Sequence, residues 1–144
     1  MVISIIGYSN VVIYVAKPNN DDENYDTIYI DENLIFEKGE KTKTMSASRS
    51  YSGCRKCIRA IEKYAKVKDI KFFMIPIECD GFIISNYKTV ETEEFLKKVV
   101  DMLKEEDESE LEEKYGLDGW DVEFTEQLYE VFKVCNDRGV MEYC

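Results

Sequence analysis

Short runs of apolar residues alternate with polar ones in the first half of the chain, whereas in the last third they recur at spacings of three and four. Residues 2–6 and 11–16 are β-rich runs separated by Gly7-Tyr8-Ser9-Asn10, which predicts a hairpin with a four-residue loop. Pro18 ends the second run, and residues 19–26 read as a polar loop. Thr27–Ile30 alternates as a strand does. Asp31-Glu32-Asn33 turns the chain into Leu34-Ile35-Phe36, and Thr42–Ala47 is a further strand candidate.

A first helix is predicted over 53–67, where Cys54, Cys57, Ile58, Ile61, Tyr64 and Ala65 share one face. Residues 70–77, IKFFMIPI, form an apolar strand run with Pro76 near its end. Asp80-Gly81 leads into Phe82–Ser85, so these two runs are expected to pair. Thr92 is placed as the cap of a helix striped by Phe95, Leu96, Val99, Val100 and Leu103. Ser109 to Glu112 matches a capping box that opens a short helix ended by Gly116. Phe124, Leu128, Val131, Phe132 and Cys135 mark a last amphipathic helix, closed by residues 136–139.

Strands, helix, strands, helices is not a regular βα alternation. The order predicts one α+β domain over 1–144, with a largely antiparallel sheet covered on one face. The sheet and first helix would occupy 1–90, and an acidic helical portion 91–144. The length of 144 residues and 44% apolar content suffice for one core.

Charge sharpens this picture. The net charge of −11 divides into −6 over residues 1–37, +8 over 38–71 and −13 over 72–144. A basic band therefore lies within an acidic body, a pattern that bears on partners rather than on fold. No run of 18 apolar residues exists, so no membrane partner is expected. The apolar start has neither a basic region nor a small-residue cleavage site, and five cysteines suit a reducing cytoplasm.

Many chemistries drop out at once. The chain has no histidine, which removes histidine-dependent catalytic dyads and triads and histidine metal sites. No nucleotide-loop, nucleophile-elbow or metalloprotease motif occurs. Asp22, Asn24 and Asp26 begin like a calcium loop, but Thr27 stands where glycine is needed and Asn33 where a bidentate glutamate is needed. No cofactor is implied.

Residues 46–57, SASRSYSGCRKC, hold the remaining chemistry. As a turn into a helix, the segment offers a phosphate site: Ser48, Ser50 and Ser52 as hydroxyl donors, and Arg49, Arg55, Lys56 and Arg59 as cations near free backbone N–H groups. A solvated helix face is the plainer alternative. Cys54 and Cys57, spaced as CxxC, suggest a thiol-redox or zinc site if they are exposed thiolates, or two small core residues if they are buried.

The acidic third offers a different surface. Glu105, Glu106, Asp107, Glu108, Glu110, Asp118 and Asp121 surround the lone Trp120, a residue type enriched at interface anchors. The leading expectation is a non-catalytic binding or inhibitory protein that docks on a basic protein surface. Small, acidic, motif-poor inhibitors of phages and mobile elements share this composition. A nucleotide or other phosphate compound on residues 46–59 is the alternative, and a CxxC protein the third. Long nucleic acid is disfavoured by −19 outside the basic band. The opposed charges also allow a homodimer.

Overall fold

The computed structural model describes residues 1–15, 34–72, 75 and 80–144. Four antiparallel strands form the main sheet in the order β4-β1-β6-β5, with β1 Val2–Tyr8, β4 Thr44–Ser50, β5 Gly81–Ile84 and β6 Val140–Tyr143. A second sheet pairs β2 Val11–Val15 with β3 Ile35–Lys38. Four helices complete the architecture: α1 Tyr51–Val67, α2 Tyr87–Lys104, α3 Glu108–Tyr115 and α4 Gly119–Cys135. The fold is α+β.

Strand alternation divides the main sheet into two faces. Ile3, Ile5, Ala47, Ile83, Met141 and Tyr143 join one core with the buried stripes of α1, α2 and α4. Tyr8 and Val140 turn the other way, where Phe82, Ile84 and Phe36 pack with them. Helices therefore cover one face, and the β2–β3 sheet covers part of the other. At Gly7, a Cβ would stand 2.4 Å from the Val131 carbonyl oxygen, so the bare backbone is what lets α4 lie this close to β1.

Several expectations change. β1 and β2 do not pair: β1 is flanked by β4 and β6, which leaves it no free edge, and β2 leaves the sheet to meet β3. The carboxy-terminal β6, not expected as a strand, pairs with β5 on one side and β1 on the other. Residues 70–77 were expected to pair with Phe82–Ser85. Of that run, 70–72 and 75 carry no strand, while 73–74 and 76–77 lie outside the described residues. The expected strand at Thr27–Ile30, the loop at 19–26 and the incomplete calcium loop also lie outside them.

Helix starts move as well. Asn86, not Thr92, caps α2, and its side-chain oxygen accepts from the Lys88 and Thr89 amides. Thr92 is buried one turn in and donates to the Lys88 carbonyl. Asp107, not Ser109, caps α3, which ends at Gly116 as expected, there in a left-handed conformation. α1 begins at Tyr51, because the Ser50 side chain accepts from the Gly53 amide.

Candidate functional site

The stretch 46–50 is strand rather than turn, and its alternation decides what each residue does. Ser48 and Ser50 are exposed, Ser48 bonding Ser4 across β1 at 2.8 Å while Ser50 caps α1. Ala47 and Arg49 point to the helices. Arg49 donates to Asp121 Oδ1 at 2.5 Å, and Asp121 has no exposed side-chain surface. The other Asp121 oxygen accepts from the Asp118 amide at 3.0 Å, and the Asp118 carboxylate accepts from the Asp121 amide at 2.9 Å. This reciprocal box starts α4. Lys56 lies 3.5 Å from Asp118 and 3.9 Å from Asp121.

Two groups of candidate residues thus neutralise each other. Arg49 and Lys56 came from the basic band, and Asp118 and Asp121 from the acidic third. Burial works against the Arg49 charge, but the bond to Asp121 outweighs it and raises its pKa. The Asp118 carboxyl is held below its ordinary value, chiefly by the Asp121 backbone N–H.

Beyond this cluster, Tyr51, Ser52, Arg55, Lys56 and Arg59 line an open groove of about 410 Å³ on the outer side of α1. Arg55 donates to the Tyr51 hydroxyl at 3.4 Å and lies 5.6 Å from its ring centre. Arg59, Lys63 and Lys66 continue along the exposed face, and no ion pair engages these three among the described residues. Four of the seven proposed ligand residues meet in this groove: Ser52, Arg55, Lys56 and Arg59. Ser48, Arg49 and Ser50 are engaged elsewhere. Tyr51 was missed, although it stands four residues before Arg55 on one helix face.

The CxxC thiols face inward. Cys54 and Cys57 are buried against the core and free of disulfides. Burial pushes Cys57 up to about 12 and also raises Cys54, so both remain protonated thiols at neutral pH. Cys57 donates weakly to the Asp121 carbonyl at 3.5 Å. No cluster of three or more potential metal ligands occurs among the described residues. This placement suits core packing and works against thiolate chemistry.

The acidic surface divides in the same way. Glu106 is paired with Lys68 at 2.8 Å, and Asp107 is fixed as a cap. Burial opposes the Glu106 charge, yet its carboxyl stays below the usual range beside Lys68; bonds from Ser109 and Glu110 hold Asp107 low. Glu105, Glu108, Glu110, Glu112 and Glu113 are exposed, with Glu110 loosely paired to Lys114 at 3.7 Å. Trp120 is 73% exposed in the first turn of α4. Glu108 reaches that turn, its Oε1 4.0 Å from where a Gly119 Cβ would stand. Glu112 and Glu113 were not singled out by sequence reasoning, since a charge run alone does not show which members point outward.

No protein family, curated protein or solved structure matches the chain. No helix among the described residues is long and apolar enough to cross a membrane.

Proposed function

We propose that this is a non-catalytic binding protein that docks on a basic partner surface through α3 and the first turn of α4. The exposure of Trp120 carries the reading. A solvated indole leaves a large apolar area in water, and covering it is favourable. Nine acids and one lysine lie between residues 105 and 121, a net charge of −8 in the segment that carries that ring. Internal pairing of Asp118, Asp121 and Glu106 removes part of this charge, and Glu105, Asp107 and the exposed glutamates of α3 retain the rest. Such a surface favours salt-sensitive encounter with a cationic partner, with the indole as anchor.

The test is capture of cellular proteins on immobilised protein, compared with Trp120→Ala and with Glu108→Lys, Glu112→Lys and Glu113→Lys combined. The expected result is a basic protein retained by the unaltered chain, released by salt and lost with both variants while they stay folded. Equal retention by all three removes the reading.

The groove on α1 favours a second reading, a phosphate-bearing small ligand held by Arg55, Lys56 and Arg59 with Tyr51 against its apolar part. Its support is the convergence of Arg55, Arg59 and an aromatic ring on one concave surface, with Lys56, shared with Asp118, at its border. Arg55→Glu is expected to abolish binding of nucleotides added singly, seen by calorimetry, with little change in the ligand-free melting temperature. Absence of any nucleotide binding to the unaltered protein counts against it.

A further inference from the structure

A separate groove of about 330 Å³ lies where α2 and α4 meet the surface. Met45, Val100 and Tyr129 supply its apolar lining, and Asp101, Glu123, Glu126 and Glu130 its acids. Glu123, Glu126 and Glu130 stand at i, i+3 and i+7, so they share one side of α4. Lys97 and Lys104 also border the groove, which leaves an excess of two negative charges. Lys104 is 3.7 Å from Glu126, with both side chains substantially exposed, so the pair is weak. Asp101, Glu123 and Glu130 hold no ion pair among the described residues.

We infer that this groove takes a cationic amphipathic helix of the partner. The inference rests on the docking reading above and names the element that the partner contributes. An apolar side chain of that helix would sit on Met45, Val100 and Tyr129. Lysines or arginines along its flank would face Glu123, Glu126 and Glu130. Charge complementarity selects the sign of the occupant, and spacing selects its form. The acids span about 10 Å at the helical rise of 1.5 Å per residue, and a second helix laid alongside repeats cations at the same interval. An apolar stripe flanked by charge is the usual helix-in-groove arrangement. A methionine in the lining adapts to side chains of different shape. Trp120, on the same helix, extends the contact toward α3.

The probe is a fluorescently labelled amphipathic helix of leucine and lysine, titrated with the full chain at low salt and read by anisotropy. A lysine peptide of equal charge without leucine is the control. Glu123→Lys with Glu130→Lys is expected to weaken binding of the amphipathic probe by about tenfold or more. Glu112→Lys with Glu113→Lys on α3 should weaken it by less than about threefold, and the leucine-free peptide should bind more weakly than the probe. Circular dichroism confirms that each variant is folded. No binding of the probe to the unaltered chain, equal binding of the two peptides, or equal loss with both variant pairs overturns the groove. The docking reading is judged separately by the captured cellular partner. If that partner is lost with the α3 changes but kept with the groove changes, docking stands and this groove falls.

Discussion

Asp121 shows how one residue joins functions that look separate in the sequence. Its carboxylate accepts the Arg49 guanidinium and the Asp118 amide, and its backbone carbonyl accepts from Thr125 at 2.7 Å. Removing it leaves Arg49, only 20% exposed, without its partner. Asp121→Ala is therefore expected to cost about 3 kcal/mol in urea denaturation. Arg49→Ala should cost less, because the remaining carboxylate keeps its backbone bond. The double variant should lose less than the sum of the two, since the charge each single change strands is then gone. Strict additivity would show that the pair is not coupled. Nothing in the linear sequence links positions 49 and 121, 72 residues apart. What was legible was composition: arginine and serine in one place, acids in another. The burial of Cys54 and Cys57 was legible too, because they share the helix face of Ile58 and Ile61.

At the scale of elements, α1 and α4 were readable because their apolar residues repeat at the helical period over about three turns, Cys54 to Ala65 and Phe124 to Cys135. The start of α2 was not, because its buried positions there are Thr89 and Thr92 while apolar Tyr87 and Val90 are exposed, and a buried Thr92 looks like a cap in sequence. β6 was missed for a different reason. Val140, Met141 and Tyr143 are all buried, as expected in an interior strand, so the four residues show no alternation to detect. Nor does local pattern reveal that β1 sits between β4 and β6. The end of α1 offers a direct check of local backbone energetics. Asp69 has φ of 56°, while the Ile70 amide donates to the Ala65 carbonyl at 2.8 Å and the Asp69 amide to Lys66 at 3.4 Å. This is a left-handed helix stop that glycine fits without a Cβ penalty. Asp69→Gly is expected to stabilise the protein by about 0.5 kcal/mol or more, measured by denaturation midpoint. A loss of stability would mean that the Asp69 side chain contributes more than its backbone strain costs.

At the scale of the molecule, the +8 band and the acidic third are not two independent surfaces. Arg49 and Lys56 fold against Asp118 and Asp121, and Lys68 against Glu106. What remains on the outside is a basic stripe on α1, an acidic face on α3 whose Glu108 reaches the first turn of α4 beside the exposed Trp120, and the acids that border the α2–α4 groove. The sequence showed the imbalance of charge but not which charges cancel, because that depends on where β4 meets α4. The central claim is that the acidic face with Trp120 is where the partner lands. The chain contains one tryptophan, so a fluorotryptophan label gives a single reporter at that place. The decisive measurement is fluorine NMR of this label in buffer and in an extract of the source cells. The account predicts a resonance that shifts or broadens in extract and returns in high salt, while the α3 charge-reversal variant keeps its free position. A resonance that is the same in buffer and extract, or one that moves equally in the charge-reversed protein, would contradict it.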